Sequence, residues 1–495
     1  MQRTGGSTPS DGAPQRVGPR RYVHDVPVRP LDPERLRPVV GAERIAAFGV
    51  AARAARELLS DRVIINVSST ANGGGVAEML QTLLAYTLGA GIRARWSVIA
   101  AAPPFFAVTK RIHNGIYGSP GDGGGLGSAE HAVYEATLDV NARDLLPTVH
   151  PGDVVLLHDP QTAGLARVLR ARGALVVWRC HIGSDTSNRH AERSWSFLRP
   201  YLDGAAHAFV FSRRAFAPSW VRERQLFAIP PSIDPFSTKN EPLAPDATLR
   251  VLALAGLLDE RRDVAPVPFL RRDGTAGQLA RRFDTLLTGT APPVAAPLVV
   301  QVSRWDSMKD MAGVMQAFAE HVAPRSPSTH VALVGPDAHG VSDDPEAEYV
   351  LEDCLDRWRA LPRAVRGRVH LGCVPMDDPD ENALVINALQ RHAAVVTQKS
   401  LAEGFGLTVA EAMFKSRPVV ASAVGGIADQ IVDGKSGLLV NDPTDLAGFG
   451  AAVCSLLDDP AHAANIGRHA RERVTSEFLG DRHLERYGEL LAAII

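Results

Sequence analysis

The chain alternates between short apolar runs and amphipathic stretches. Residues 41–59 carry apolar positions at helical spacing and predict a helix. VIINVSS (63–69) is a continuous apolar run and predicts a buried strand. TANGGG (70–75) breaks the pattern, after which Val76, Met79, Leu80, Leu83, Leu84 and Leu88 fall on one helical face. RWSVIAA (95–101), DVVLLHD (153–159), ALVVWRC (174–180) and AHAFVFS (206–212) predict further strands. Helical patterns lie between several of them. Apolar strands separated by helices argue for a parallel sheet covered on both faces.

The rhythm breaks between about 235 and 297, where Pro, Ala and Arg accumulate. This stretch reads as an inter-domain connection with room for a helix or two. A second series follows: LVVQVS (298–303), THVALVG (329–335), RVHLGC (368–373), AAVVT (393–397), PVVAS (418–422) and GLLV (437–440). The expected division is a first domain at 41–240, a linker or insertion at 241–297 and a second domain at 298–477. The fold class is α/β, with two Rossmann-like domains facing a central cleft. A chain of 495 residues is beyond what one hydrophobic core organises, which agrees with two domains. The glycine-rich SPGDGGGLGS (119–128) does not follow a strand and reads as a flexible loop. DDPD (377–380) reads as a helix start near Pro379 rather than a metal-binding run.

Composition narrows the function classes. A formal net charge of −2 gives no electrostatic sign of a nucleic-acid or membrane partner. The four cysteines are scattered and form no CxxC zinc pair, so a reduced, cytoplasmic setting fits and no metal site is expected. No apolar run is long enough to span a bilayer. Residues 1–40 read as a disordered tail. The first 21 are rich in Gly, Pro, Ser and Arg and lack the apolar core of a secretory signal.

Candidate chemistry lies at strand ends. In EGFGLTVAE (403–411), Glu403 falls in a loop after a strand and Glu411 within the first turns of a helix. Gly404 and Gly406 let a ligand approach the backbone. The N–H groups around Gly406, Leu407 and Thr408 suit an anion at the positive helix end. An ordinary helix N-terminus with acidic neighbours is the other reading. In QVSRWDSMKD (301–310), Arg304 and Lys309 can neutralise a diphosphate, or belong to a solvated loop with Asp306 and Asp310. Gly73, Gly74 and Gly75 leave no side chains to block a ligand, or form a tight turn. LLHDPQ (156–161) and WRCHIGSDTSN (178–188) place His158, Asp159, His181 and Asp185 at adjacent strand ends. Either histidine can equally be a satisfied core residue.

Together these segments resemble the GT-B glycosyltransferases of family 4. EGFGLTVAE matches that family's E-x7-E motif, and Arg304 with Lys309 matches its diphosphate pair. NVSSTANGGGVAEML, HDPQ, WRCHI, PPSIDPFSTKN (230–240), QVSRWD and VGGIADQIVDGKSGLLV are similar to the trehalose-forming branch, the trehalose synthases and phosphorylases. The similarity runs from about residue 60 to the C-terminus. It implies a GT-B fold and a retaining transfer without a required metal. The cofactor-free reaction would take glucose from a nucleoside diphosphate glucose to glucose, forming an α,α-1,1 link. Transfer to another sugar or an aminocyclitol, and trehalose phosphorolysis, are the alternatives within this class.

The resemblance also implies roles. Glu403 would contact the donor sugar, Glu411 the ribose, and Arg304 and Lys309 the departing diphosphate. Phe405, Gly406, Leu407 and Thr408 would line the donor. His181 would lie near the sugar and Asp159 near the acceptor. Gly73, Gly74 and Gly75 would form a backbone wall for acceptor and diphosphate. A final helix at about 478–495 would return to the first domain. A homodimer and small-molecule substrates are implied as well. Three departures stand out: Gly183 and Asp310, where relatives often carry Asp and Gly, and the long stretch 241–297. With Glu403, Arg304 and Lys309 all present, a non-catalytic scaffold is disfavoured. The missing GxGxxG after the first strand argues against a nicotinamide-dependent dehydrogenase.

Overall fold

The computed structural model describes residues 22–71, 75–259, 264–272, 274–338 and 346–495. The apolar runs form the strands of two large sheets. In the first half these are β1 (Val23–Val26), β2 (Ile64–Ser68), β3 (Ala94–Ile99), β4 (Val154–His158), β5 (Leu175–Cys180), β6 (Ala208–Phe211) and β7 (Leu226–Ala228). Their order is β1-β3-β2-β4-β5-β6-β7, parallel except for β1 against β3. A hairpin of β8 (Val267–Leu270) and β9 (Ala276–Leu279) lies between the sheets in sequence. The second half holds β10 (Leu298–Val302), β11 (His330–Pro336), β12 (Val369–Val374), β13 (Val395–Gln398), β14 (Val419–Ser422) and β15 (Leu438–Val440). This sheet is fully parallel, in the order β12-β11-β10-β13-β14-β15. That is the doubly wound Rossmann order, whose reversal between β10 and β13 opens a crevice at the strand carboxyl ends.

Strand alternation distributes the apolar side chains between two cores. Leu298, Val300 and Val302 enter one core with Val396 and Val419. Val299 enters the other with Val331, Leu333 and Val395. In the first half Val155, Leu157, Val176 and Trp178 face one layer of helices, while Val154, Leu156 and Val177 face the opposite layer. Burying each such side chain contributes roughly 1.5–3 kcal/mol, so Val300→Asp would break the central strand of the second sheet. The last helix, Gly480–Ile494, joins the first half. Leu490 and Leu491 pack on Val154, Leu156 and Val177, and Arg44 of the helix Ala42–Leu59 pairs with the buried Asp481.

One expectation needs correction. Residues 22–40 are not a disordered tail. β1 pairs with β3, Leu36 is buried, and the Leu31 N–H donates to the Ala85 carbonyl at 2.9 Å. This proline-rich segment has little helical or strand propensity of its own, and long-range contacts order it. Residues 1–21 lie outside the described residues. The stretch 241–297 holds a helix, as it had room to, and a hairpin besides. The helix Pro245–Leu254 buries Val251, Leu252 and Leu254 in the same core as Leu384, Val385 and Leu389. The arginines of the hairpin have partners: Arg271 bonds Asp378 at 2.9 Å, Arg272 bonds Asp380 at 3.0 Å, and Arg281 bonds Asp377 at 2.8 Å. The acidic run they meet starts the helix Pro379–His392, with Asp378 capping the Asp380 and Glu381 amides. No helix among the described residues is long and apolar enough to cross a membrane.

Candidate active site

The crevice between β10 and β13 gathers the charged residues of the second half. Arg304 and Lys309 lie in the loop after β10, and Glu403 lies in the loop after β13. Lys309 Nζ donates to Glu403 Oε2 at 2.6 Å, and both side chains are largely buried. Arg304 is more exposed and lies 3.3 Å from Asp306. Burial would raise the Asp306 pKa, but Arg304 and Lys309 outweigh it and hold the carboxyl below its usual range. The helix Leu407–Phe414 begins beside Glu403. Gly406 precedes it at φ +87°, and no side chain caps it. Its first N–H groups therefore present a positive end to the crevice.

Three polar residues outside the expected set hold these loops in register. Gln301 is fully buried in β10. Its amide donates to the Lys309 carbonyl at 2.7 Å and accepts from the Lys399 N–H at 2.9 Å, joining the two loops. Lys399 is buried and paired with Asp310. Asp310 has φ +48°, a left-handed conformation that favours glycine. It is sustained because Asp310 also caps the Gly313 amide at 3.0 Å. Its side chain thus does what a glycine there has no atoms to do. The sequence signal was thin: a lone Gln within LVVQV, and a lysine immediately after a strand.

Other members of E-x7-E take up different positions. The Phe405 ring turns into the core against Phe478, with centroids 5.5 Å apart, leaving only its main chain for a ligand. The Thr408 hydroxyl donates to Gln398 at 2.9 Å. Glu411 is buried on the far flank of the helix, and its Oε2 has no hydrogen-bond partner among the described residues. It borders an open cleft between the halves, shared with Leu407, Glu78, Lys239, Arg272 and Asp380. Glu411 thus borders this open space, while Glu403 is engaged by its ion pair with Lys309.

The first half faces this crevice with the ends of β4 and β5. A chain of hydrogen bonds fixes the buried histidines. Arg179 Nε donates to His181 Nδ1 at 3.4 Å, so His181 carries its proton on Nε2. That nitrogen lies 3.1 Å from His158 Nδ1, and His158 Nε2 then donates to Asn66 Oδ1 at 2.9 Å. Burial, reinforced by Arg179, lowers His158 to about 3 and His181 well below its usual pKa, so both rings stay neutral. The His181 ring is thus occupied within the first half. Its carbonyl reaches the crevice, 2.6 Å from where a Cβ on Gly404 would stand, with the Tyr117 hydroxyl at 2.9 Å from the same point. A side chain at 404 would drive the halves apart.

Asp159 accepts from the His181 N–H at 2.7 Å and sits at φ +62°. A non-glycine residue held in that region stores strain, as site residues often do. Burial pushes its carboxyl up to about 6, with the His181 amide and Arg179 opposing. Gly75 starts the helix Gly75–Gly89, and a Cβ there would meet Leu407 at 2.4 Å. Gly73 and Gly74 lie outside the described residues. Among the described residues, no group of three or more His, Cys, Asp or Glu is placed to hold a metal ion.

Two Rossmann domains facing a cleft, with a cationic crevice in the second, define a GT-B glycosyltransferase. Comparison with known proteins agrees. Residues 66–218 match the family described as trehalose synthase, N-terminal domain, and residues 288–473 match glycosyl transferases group 1. Trehalose synthase of Thermococcus litoralis is 34% identical over 92% of this chain and 96% of its own. Trehalose phosphorylase of Pleurotus pulmonarius is 26% identical over 90% of this chain but 59% of its own. The α,α-trehalose-phosphate synthase (UDP-forming) structure from Burkholderia vietnamiensis superposes with a TM-score of 0.63 at 16% identity, covering 88% of this chain and 98% of that one. The chain belongs to the trehalose synthase family.

Proposed function

We propose that this glycosyltransferase moves glucose from a nucleoside diphosphate glucose to free glucose, with retention, giving trehalose. The observation that carries the reading is the cationic crevice. Lys309, Arg304 and the uncapped N-terminus of Leu407–Phe414 converge at one strand-switch point, flanked by Glu403 and Glu411. Such a place suits a pyrophosphate between a sugar and a ribose. The partnerless Glu411 oxygen beside the open cleft suits ribose hydroxyl donors.

In this reading the donor diphosphate takes Lys309 from Glu403, freeing that carboxylate for sugar hydroxyls. The bond from the sugar C1 to the diphosphate oxygen breaks, and the acceptor hydroxyl bonds C1 from the same face. Its proton passes to the departing diphosphate, whose charge Arg304 and Lys309 stabilise as it develops. No metal is required for that role. Asp159 orients the acceptor. The GT-B halves enclose the reaction and exclude water.

One observation favours a second acceptor class. A Cβ on Gly183 would meet the buried Phe216 ring at 2.2 Å, so the Asp that relatives often carry here has no room and its carboxylate is missing from the acceptor side. A sugar or aminocyclitol other than glucose is the corresponding alternative. A matrix of UDP-, ADP- and GDP-glucose against glucose, other sugars, aminocyclitols and phosphate tests both. Trehalose, identified by its anomeric NMR signals, is the expected product. No disaccharide with any donor would reject the main reading, and glucose 1-phosphate released from trehalose would identify a phosphorylase.

A further inference from the structure

The loop that carries Glu403 is gripped from the opposite half of the molecule. Arg213 follows β6. Its Nη1 donates to both Asp185 oxygens at 2.7 Å and to the Gly425 carbonyl at 2.8 Å, and its Nε lies 2.7 Å from Asp429 Oδ2. Asp185 in turn accepts from the Gly425 N–H at 3.0 Å. Both main-chain polar groups of Gly425, a second-half residue, are therefore held by first-half side chains.

Gly425 rests directly on the Glu403 backbone. It has φ +50°, and a Cβ there would come within 1.7 Å of the Glu403 carbonyl oxygen and 3.5 Å of the Phe216 ring. A Cβ on Gly426 would meet the Gly404 oxygen and Phe405 Cα at 2.7 Å each. Nothing compressible separates residues 425–426 from 403–405, so the two segments move together.

We infer that Arg213, with Asp185 and Asp429, is an inter-domain clamp that positions Glu403 through Gly425 and holds the crevice shut. Its role in the reaction rests on the proposed transferase reading of Glu403. Arginine suits the position because one planar fork meets two carboxylates and a carbonyl from two domains; a lysine ammonium cannot span them in the same geometry. The side chains of Arg213, Asp185 and Asp429 are 21%, 37% and 44% exposed, so water and salt reach the clamp. It is built to release as well as to hold.

Hydrogen exchange on the ligand-free protein tests the clamp without any activity. Peptides covering 400–408 and 423–430 are expected to exchange about tenfold faster in Arg213→Ala, the effect of losing charge-assisted hydrogen bonds. Arg213→Lys recovers part of this, and Asp429→Asn gives a smaller increase with the rest of the chain protected as in the wild type. In turnover, Arg213→Ala lowers kcat about tenfold and leaves the donor KM within about twofold, while donor hydrolysis rises relative to transfer. Unchanged exchange at 400–408 in Arg213→Ala overturns the clamp, whatever happens to activity. Faster exchange with kcat unaltered overturns its positioning role. Faster exchange in a chain whose wild type transfers no sugar leaves the clamp standing and rejects the transferase reading instead.

Discussion

The two halves support the cleft with different electrostatic materials. The second half meets it with ions: Arg304, the Lys309–Glu403 pair, and Lys399 with Asp310 behind them. The first half meets it with the Glu78–Lys239 pair at the open cleft, and behind the ends of β4 and β5 lies a buried relay, Arg179 to His181 to His158 to Asn66, in which burial keeps both imidazoles uncharged. An anionic leaving group needs the first kind of surface. The buried relay instead fixes the backbone at the ends of β4 and β5 without placing a charge on either imidazole. The contrast teaches that the division of labour was set by which loops could afford charge near water and which could not.

The contrast is broken most directly on the ionic side. Lys309→Ala and Glu403→Ala are each expected to lower kcat by about 10²–10³, read by steady-state transfer with the fold checked by circular dichroism. Wild-type turnover in either would remove the assigned roles. In the first half, Asp159→Asn is expected to lower kcat/KM for the acceptor by about ten- to a hundredfold.

Asp159 also predicts a pH dependence. Its carboxyl is held at about 6, so acceptor use falls as pH drops through that value. The neighbouring histidines are held too low to account for such a limb. Asp159→Asn should abolish it, and a limb that survives in this variant would point to another group. The raised pKa has a stability corollary. This group favours the folded state below its unfolded pKa near 3.8, and that contribution is lost as pH rises through about 6. Asp159→Asn should therefore melt higher than the wild type at pH 7.5 while turning over more slowly.

Smaller effects sharpen the picture. Glu411→Gln is expected to raise the donor KM about tenfold with little change in kcat, the mark of binding lost equally from ground and transition states. Gln301→Leu removes both amide bonds between the Lys309 and Lys399 loops and costs about 1–3 kcal/mol in chemical denaturation. A several-fold loss of kcat should accompany it. An unchanged midpoint would show that the loops hold their register without Gln301.

The sheets were legible because their strands are nearly unbroken apolar runs, and parallel strands buried on both faces have that pattern. The placing of Arg304, Lys309 and Glu403 at the ends of adjacent strands was legible because a motif records the positions of charges. What the residues around them do was not legible. Phe405 lies inside the motif, yet its ring points into the core. Gln301 and Lys399 act through partners that only folding brings near. Residues 22–40 and the arginines of the β8–β9 hairpin read as irregular because their order comes from long-range pairing, which local propensity does not encode.

The helix Gly480–Ile494 closes the floor of a domain whose other strands were made hundreds of residues earlier. Val154, Leu156 and Val177 keep an uncovered apolar face until Leu490 and Leu491 arrive. During synthesis the first domain therefore stays unfinished until residues 480–494 have emerged, long after its strands, a window in which sticky surface invites chaperones. Removing residues 480–494 should damage the first half, and not the half that precedes them in sequence.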